Sequence, residues 1–292
     1  MKTGLILEGG GMRGVYSGGV LERFLDEQLF MDYVIGVSAG ACNAASYISR
    51  QTGRNREVTI GYVHHPDYIS MKNLLLRREL FGMNLIFDEI PNKLVPFDYE
   101  QFGDATEEFV IGTTDCLTGE AVYFEKKEHA KDVLAIVRAS SSLPFMAKPV
   151  EFEGRLLMDG GVADPIPIRK ALADGVTKPI IILTREKGYR KKKSTLTRVL
   201  PALYRQFPGI VKSMENRYIR YNETMEFVEQ LEAEGKALVI RPDNLFKIGG
   251  FERDANKLTV LYNQGYQNAD TAMEKIKEFI GQKEKPLEQR LK

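Results

Sequence analysis

The segment GVSAG places Ser38 between Gly36 and Gly40, after the apolar run YVIGV and before small residues that suit a helix. A nucleophilic serine on a sharp turn from a strand into a helix needs this pattern, because side chains two residues before and after it would collide with the nearby backbone. The following helix would also point its N-terminal N–H groups at the reacting centre. The alternative is that Ser38 is a small packing residue or a helix N-cap, which serine favours.

A serine nucleophile needs a proton acceptor, and the three histidines of the chain are poor candidates. His64 and His65 are adjacent in a predicted loop, and His129 lies in the charged segment KKEHAKD. None follows the order serine, acid, histidine that is common in α/β-hydrolases. Asp159 directly follows the apolar segment LLM, so we expect it at the carboxyl end of a strand, at the sheet edge where Ser38 emerges. The alternative for Asp159 is a plain Asp-Gly turn.

The glycine-rich segment GGGMRG follows the apolar segment GLIL and precedes a predicted helix, which leaves backbone N–H groups free to face an anion. Gly9, Gly11 and Gly14 also match the dinucleotide fingerprint G-x-G-x-x-G, which requires an acid at the end of the next strand. The next predicted strand ends at Ser38, and Asp32 lies at its other end. This arrangement counts against a nucleotide site, and a purely structural turn is the other alternative.

The periodicity of apolar residues predicts an α/β fold, because short apolar segments alternate with helical ones as in a parallel sheet covered on both faces. The predicted strands cover residues 4–7, 33–37, 108–115, 121–125, 155–158, 178–184 and 237–241. The predicted helices cover residues 15–29, 39–50, 129–139, 195–234 (interrupted at Pro201 and Pro208) and 254–281. The strand at 237–241 indicates that the chain returns to the main sheet, and the tail 281–292 is predicted to be frayed.

The composition excludes several classes of protein. The chain has 292 residues, a formal net charge of +1 and 28% charged residues, which gives no support for a nucleic-acid partner. Cys42 and Cys116 suit neither a zinc site nor a disulfide framework and favour a reducing compartment. The N-terminus has no signal-peptide pattern, and no segment approaches the ~20 apolar residues of a membrane span. These features predict a soluble, cytoplasmic protein with no cofactor, no metal ion and no obligate protein partner.

The segment REKGYRKKK at residues 185–193 is strongly basic and marks a shift in composition. Together with the apolar segment that follows, it would suit transient contact with an anionic membrane surface. The alternative, which the sequence favours, is a solvated basic loop that leads into a buried helix. The Met and aromatic residues of MENRYIRYNETMEF recur at helical spacing and are predicted to form core or pocket wall.

The motifs GGGMRG, GVSAG and DGG occur in this order, each after an apolar strand, and together they resemble the patatin-like phospholipase family, particularly its bacterial members. Further matches are DYVIGVSAGA at residues 32–41, TDCLTG at 114–119 and RASSSLP at 138–144. The resemblance covers roughly residues 3–184. It implies a three-layer fold with a mostly parallel sheet, a catalytic core at residues 1–184 and a mostly helical segment at residues 185–292 that packs on the core.

The resemblance also implies roles for individual residues. Ser38 would be the nucleophile and Asp159 the base of a Ser–Asp dyad without histidine. The N–H groups of Gly10 and Gly11 would form the oxyanion hole. An ordinary Asp has a pKa of ~3.9 and is a poor base, so we expect burial to raise the pKa of Asp159. Asp164 stands where many members have Asn, which affects only a local contact.

The implied activity is hydrolysis of lipid acyl esters through an acyl-enzyme intermediate. Three alternatives stay open: an acyltransferase that uses the same dyad, a nucleotide-binding protein that uses GGGMRG, and a membrane-associated binding protein without catalysis. Arg13, in the glycine loop, would hold a substrate phosphate or pair with a nearby carboxylate. Four apolar residues are candidates for an acyl cleft or a lid: Phe81, Met83, Leu85 and Phe87.

Overall fold

A computed structural model describes residues 1–243 and 248–281 of the chain. Within these ranges the strands are β1 (Thr3–Leu7), β2 (Tyr33–Val37), β3 (Glu108–Asp115), β4 (Ala121–Glu125), β5 (Val150–Phe152), β6 (Arg155–Asp159), β7 (Lys178–Ile182) and β8 (Leu238–Ile240). They form one sheet in the order β5-β6-β3-β2-β1-β7-β8, with β4 also paired to β3. Strands β1, β2, β3, β7 and β8 are parallel, and β4, β5 and β6 pair antiparallel.

The described helices are α1 (Val15–Asp26), α2 (Ala39–Ile48), α3 (Arg54–Arg56), α4 (Met71–Arg77), α5 (Tyr99–Asp104), α6 (Lys126–His129), α7 (Val133–Ser140), α8 (Ile168–Ala173), α9 (Leu200–Leu203), α10 (Pro208–Ala233) and α11 (Ala255–Ile280). Short 3₁₀ turns cover Gly11–Gly14, Ala130–Asp132, Gly160–Val162 and Thr195–Arg198, and π-helical segments cover Glu57–Gly61 and Leu85–Leu94. No described helix has both the length and the apolar character that crossing a bilayer requires.

The central strands are buried on both faces because their apolar residues point alternately to two separate cores. Leu5 and Leu7 of β1 belong to the core that contains apolar residues of α1, α2, α7 and α11. Ile6, between them, belongs to the core that contains residues of α8 and α10. The predicted architecture, a mostly parallel sheet with helices on both faces, is therefore confirmed.

One edge of β3 is shared by two strands that meet end to end. Strand β2 pairs parallel with β3 as far as Val37, which lies opposite Gly112. Strand β6 pairs antiparallel with β3 from Thr113, which lies opposite Asp159. Because β4 pairs with β3 over the same residues from the other side, β6 must continue the edge that β2 leaves. The end of β2 and the end of β6 therefore meet, on neighbouring residues of β3.

The C-terminal part of the chain pairs with the sheet and packs against α1. Strand β8 pairs parallel with β7, which confirms the predicted return to the main sheet. Helix α11 packs against α1 so closely that a Cβ on Gly265 would overlap the carbonyl oxygen of Tyr16. The region beyond residue 184 therefore contacts both the sheet edge and α1.

The element boundaries differ from the predictions mainly at helices. Helix α1 ends at Asp26 and α2 at Ile48, a few residues earlier than predicted. Pro208 begins α10, because proline is tolerated in the first turn, where its missing N–H has no helical partner. The pattern did not reveal the short elements α3, α4, α5, α8 and β5. The predicted fraying of the tail concerns residues that, from 282 onwards, lie outside the described ranges.

Candidate active site

Ser38 occupies the turn between β2 and α2 in a strained backbone conformation, with φ 54° and ψ −129°. Positive φ values are uncommon for residues other than glycine and cost about 1–3 kcal/mol when the surroundings impose them. The two flanking glycines permit the turn: a Cβ on Gly36 would lie 2.8 Å from the amide nitrogen of Ala41, and a Cβ on Gly40 would lie 2.6 Å from the carbonyl oxygen of Leu7. The turn therefore has the backbone geometry expected of a nucleophile.

A hydrogen-bonded chain holds the backbone of this turn. The amide of Ser38 donates to the Ser140 hydroxyl at 2.8 Å, and that hydroxyl donates to the carbonyl oxygen of Gly112 at 2.6 Å. Ser140 ends α7, and Gly112 lies on β3 opposite the last residue of β2. The strained turn is thus fastened to the neighbouring strand through a buried side chain.

Asp159 ends β6 and is almost completely buried, with 1% of its surface exposed. Its amide donates to the carbonyl oxygen of Ser142 at 2.9 Å, and its own carbonyl oxygen accepts from the Thr114 hydroxyl at 2.8 Å. One carboxylate oxygen, Oδ1, accepts from the amide of Gly161 at 2.8 Å. The other, Oδ2, is buried without a hydrogen-bond partner among residues 1–243 and 248–281.

The strand geometry brings Ser38 and Asp159 together by a route that the sequence reasoning did not anticipate. Both residues were expected at the carboxyl ends of strands, at one edge of a mostly parallel sheet. Ser38 does follow β2 and Asp159 does end β6, but β6 runs antiparallel to β3. They are neighbours because β2 and β6 share one edge of β3 and end on adjacent residues of it, Gly112 and Thr113. The sequence thus predicted that Asp159 ends a strand near Ser38, but it did not predict that this strand is antiparallel to β3.

Burial raises the pKa of Asp159, in the expected direction. The positive charge of Arg217, the hydroxyl of Ser38, the amide of Gly161 and the charge of Lys191 oppose this shift, in that order of size. The Ser38 hydroxyl is therefore close enough to affect the carboxyl group, although Oδ2 has no hydrogen bond of regular geometry within the described ranges. The two groups are therefore adjacent without a hydrogen bond of regular geometry, an arrangement that is compatible with a general base.

The glycine loop lies against this pair. Gly9 is beside Ser38 and Gly14 is beside Ala39, so the loop that follows the neighbouring strand β1 packs on the strained turn. In the part of the chain that the structure describes, the amides of Gly10 and Gly11 donate no backbone hydrogen bond. Free amides beside a nucleophile can stabilise a developing oxyanion.

The same loop is a poor dinucleotide site. Strand β2 is followed directly by Ser38, and not by the acidic residue that would bind a ribose.

Two cavities meet at Ser38, Gly11 and Leu143, which line both of them. The first, which we call the apolar cavity, has a volume of about 100 Å³ and is lined mainly by apolar side chains, among them Val15, Val58, Phe81, Met83, Phe87 and Leu143. Three of the four residues proposed for an acyl cleft therefore lie on its wall. Leu85 does not, because its side chain is buried in the main core.

The second, which we call the cationic cavity, has a volume of about 310 Å³. Its wall carries five basic side chains and two carboxylates: Arg13, Arg185, Lys191, Lys192 and Arg217, with Glu8 and Asp159. The aromatic and Met residues of α10 were predicted to form core or pocket wall, and they do both. Met214, Tyr218 and Tyr221 line this cavity, and Met225 lies in the core. The carboxylate pairing considered for Arg13 is absent from the described ranges, where no acid lies within ion-pair distance of it.

The other nucleophilic and basic candidates lie elsewhere or in an unreactive form. Among the described residues that line the two cavities there is no histidine. His129 packs edge-on against Phe124 and Phe152, and His65 accepts a hydrogen bond from the amide two residues on. Cys42 lines the apolar cavity, but burial raises the pKa of its thiol to about 11, so it is a neutral thiol at ordinary pH.

Sequence reasoning missed three residues of the site. Ser140 stands in the segment RASSSLP, which contributed to the resemblance but had no assigned role. Arg217 and Lys191 were read as parts of a helix and of a basic loop. Nothing in the local sequence pattern distinguishes these two from neighbouring cations that face solvent, so their position could be seen only from the packing of α10 on the sheet.

Asp164 accepts a hydrogen bond from the Tyr123 hydroxyl at 2.7 Å, so its effect is local.

Comparisons with known proteins identify the family of the chain. The profile of the family described as "Patatin-like phospholipase" matches residues 5–172, and that of a "Domain of unknown function (DUF6363)" matches residues 207–281. The protein YjjU of Escherichia coli is 27% identical over 188 residues, which cover 63% of this chain and 52% of that protein. Lysophospholipase nte1 of Aspergillus terreus is 26% identical over 295 residues, covering 94% of this chain and 18% of that protein.

A solved structure, VipD from Legionella pneumophila, is similar with a TM-score of 0.42 and 12% identity, covering 92% of this chain and 67% of that one. The chain spans about half the length of YjjU and less than a fifth of the length of nte1. The patatin-like profile, by contrast, matches more than half of this chain and includes Ser38 and Asp159. The chain therefore belongs to the patatin-like phospholipase family.

Proposed function

We propose that this protein hydrolyses acyl esters of lipids, with Ser38 as nucleophile and Asp159 as its general base. The observation that carries the proposal is the end-to-end meeting of β2 and β6 on β3. It leaves Oδ2 of Asp159, which is buried and has no hydrogen-bond partner among the described residues, beside the strained Ser38 turn. Membership of the family and the name of the relative nte1, a lysophospholipase, support a lipid substrate.

In the acylation step, the Ser38 hydroxyl attacks the ester carbonyl carbon while Asp159 takes its proton. The carbonyl oxygen becomes an oxyanion that accepts hydrogen bonds from the amides of Gly10 and Gly11, a type of contact typically worth about 3 kcal/mol per donor. The ester carbon–oxygen bond then breaks, and the leaving alcohol takes the proton from Asp159. The acyl group remains on Ser38 as an ester.

In the deacylation step, water loses a proton to Asp159 and attacks the acyl-enzyme, which releases the fatty acid and returns the proton to Ser38. An alcohol that replaced water would give acyl transfer by the same route, so transfer remains the alternative activity. We propose that the acyl chain lies in the apolar cavity, because its wall meets Ser38 and is formed by apolar side chains such as Val58, Met83 and Phe87.

We keep two further expectations as proposals. Residues 1–184 would form the catalytic core, and residues 185–292 would complete one side of the site, since Arg185, Lys191 and Arg217 line the cationic cavity. Cytoplasmic localisation, with or without transient contact to a membrane surface, is a second expectation that fractionation of expressing cells would test.

Covalent labelling tests the proposed nucleophile directly. We expect the wild-type protein to react with a fluorophosphonate probe and to hydrolyse a short-chain p-nitrophenyl ester. The Ser38→Ala variant should do neither while keeping the wild-type circular dichroism spectrum and melting temperature. A matched control is Ser141→Ala, which removes a nearby hydroxyl that also lines the apolar cavity. If Ser38→Ala still carries the label, the nucleophile is another residue and the proposal is wrong.

Two measurements separate the alternatives. Product analysis in the presence of an added alcohol distinguishes release of free acid from formation of a new ester. A thermal-shift screen with NAD, FAD and ATP tests the nucleotide-binding alternative, which predicts stabilisation that the hydrolase proposal does not.

A further inference from the structure

The cationic cavity carries an excess of positive charge that the hydrolysis of a neutral ester does not require. Five basic side chains on its wall face two carboxylates, those of Glu8 and Asp159. Both oxygens of Glu8 are occupied, since one accepts from the Thr184 amide at 2.6 Å and the other from the Tyr221 hydroxyl at 2.9 Å. The two carboxylates therefore offset only part of the charge of the five cations.

The basic residues around this cavity divide according to where they face. Arg190 points away from the cavity and forms a two-pronged ion pair with Glu229, at 3.1 and 2.6 Å. None of the five on the wall makes an ion pair within 4.0 Å in residues 1–243 and 248–281. Nε of Arg13 is moreover buried without a partner in those same ranges. A solvated basic loop, the interpretation that the sequence favoured, does not account for this division.

Two of the five cations, Lys191 and Arg217, lie in segments that hydrogen bonds hold in place. The backbone of Lys191 is fixed to α10 by Asn222, whose side chain accepts from its amide at 2.8 Å and donates to its carbonyl oxygen at 3.1 Å. The Arg217 guanidinium donates through Nε to the carbonyl oxygen of Gly161 at 2.6 Å, next to Asp159. A site built from restrained side chains binds its ligand without the entropy cost of ordering them.

The grouping of these charges has an energetic cost that an anion would remove. Burial, together with the positive charges of Arg217, Arg13 and Arg185, lowers the pKa of Lys191 to about 7, although Glu8 opposes the shift. Like charges brought together in a partly dry cavity repel one another. A bound phosphate would accept hydrogen bonds from several of these groups at once.

We propose that the cationic cavity binds the phosphate-bearing headgroup of the substrate and makes the enzyme prefer acyl esters whose headgroup is net anionic over those whose headgroup is zwitterionic. The inference rests on the proposed function, because it places the acyl chain in the apolar cavity and the ester at Ser38, where the two cavities meet.

The aromatic residues of the cavity argue against a choline-type headgroup. A quaternary ammonium group is usually held over aromatic faces. Here the charged group of Arg185 already lies 4.2 Å from the ring centre of Tyr189, and that of Lys191 lies 5.1 Å from the ring centre of Tyr221. These are two of the five aromatic residues on the wall, the others being Phe145, Tyr218 and Phe251. A second cation beside Tyr189 or Tyr221 would meet positive charge, whereas a phosphate with a neutral glycerol substituent would not.

Hydrolysis of two lysophospholipids that differ only in headgroup tests this preference. With monomeric lysophosphatidylglycerol and lysophosphatidylcholine of the same acyl chain, we expect kcat/KM of the wild-type protein to be roughly tenfold higher for the anionic lipid, as charged hydrogen bonds typically give. Lys191→Gln and Arg185→Gln should each lower this ratio several-fold, and Lys191→Arg should restore it. The matched controls Lys187→Gln and Lys193→Gln, exposed cations of the same loop outside the cavity wall, should keep the wild-type ratio.

A binding experiment on Ser38→Ala makes the test independent of turnover. Calorimetric titration should detect sn-glycerol 3-phosphate binding that weakens with Lys191→Gln, and much weaker binding of glycerophosphocholine. If the wild-type protein neither labels nor hydrolyses esters but this binding is found, the proposed function fails and the anion site stands. Equal kcat/KM for the two lysolipids, or an unchanged ratio in Lys191→Gln, would overturn the inference.

Two other results would also overturn it by assigning the cations a different ligand. Inorganic phosphate that binds in the cavity without any headgroup preference in turnover would indicate a site for free phosphate. Variants that lose binding to anionic vesicles but keep the wild-type ratio on monomeric lipids would indicate a membrane-surface contact.

Discussion

The two cavities that meet at Ser38 are built from different parts of the chain and differ in character. The apolar cavity is lined by residues between 11 and 143, which contribute mainly aliphatic and aromatic side chains and, among the described residues, no basic one. The cationic cavity takes four of its five basic residues from beyond residue 184: Arg185, Lys191, Lys192 and Arg217. The proposed nucleophile and base thus lie at strand ends, whereas most of the positive charge around them comes from a loop and a helix later in the chain.

This difference indicates how reactivity and selectivity are divided in the molecule. The Ser38 turn and Asp159 are fixed by register on β3 and by buried hydrogen bonds, which leave little freedom for variation. Four of the five basic side chains of the cationic cavity are carried by α10 and the 185–193 loop, outside the strands of the sheet. We infer that substitutions on the two sides have separable effects, and the predictions below test that separation.

The largest effect is expected where the two cavities join. Asp159→Asn removes the proton acceptor while keeping the shape of the side chain, so kcat should fall by about 10²- to 10⁴-fold for every substrate, as is typical for loss of a general base. Steady-state kinetics with a neutral p-nitrophenyl ester and an anionic lysolipid would measure it. Because both substrates would react at Ser38 with the same proposed base, the loss should be of similar size for the two substrates.

The control for this prediction is a variant that lacks all three histidines. A variant in which His64, His65 and His129 are all replaced by Gln should retain wild-type kcat within about twofold, because none of them lines either cavity. A loss of activity in this variant that matched the loss in Asp159→Asn, without unfolding, would mean that a histidine is the base after all.

The strands could be predicted better than the short helices, for a physical reason. Segments such as YVIGV and EFVIGTTD are bounded by turn residues and buried on both sides, so composition alone indicates where β2 and β3 lie. Helix α4 exposes Leu75 and Leu76, at 80% and 73%, and therefore lacks the amphipathic period that marks a helix packed on a core.

The candidate site was predictable as far as local backbone chemistry determines it. The strained turn at Ser38 needs Gly36 and Gly40 close to it in sequence, which makes it visible without a structure. The neighbour relation of Ser38 and Asp159 depends on strand register, and the antiparallel direction of β6 could not be read from its apolar pattern. The positions of Lys191 and Arg217 depend on long-range packing, so the sequence alone could not distinguish them from ordinary surface cations.

A smaller effect is expected on the apolar side alone. Val58→Phe adds bulk to the wall of a cavity of about 100 Å³. The ratio of kcat/KM for a long-chain to a short-chain p-nitrophenyl ester should therefore fall by about tenfold, the usual size of a discrimination by pocket shape. Val260→Phe, an exposed position on α11, is the matched control and should leave the ratio as in the wild type. An unchanged ratio in Val58→Phe would place the acyl chain elsewhere.

The smallest effect is expected on the cationic side, as a shift in pH dependence. Burial raises the pKa of Asp159, and the charge of Arg217 is the largest influence that lowers it, followed by Ser38, Gly161 and Lys191. Arg217→Gln removes that charge, so the pKa of Asp159 should rise further. Since the base acts when deprotonated, the acid limb of the kcat/KM–pH profile should move to higher pH, with a several-fold greater loss at about pH 6 than at about pH 8. Arg217→Lys keeps the positive charge without the Nε–H donor that binds the carbonyl oxygen of Gly161, so it should return the limb towards its wild-type position. An equal loss at every pH in both variants would mean that Arg217 only supports the backbone of Gly161 and does not affect the charge of the base.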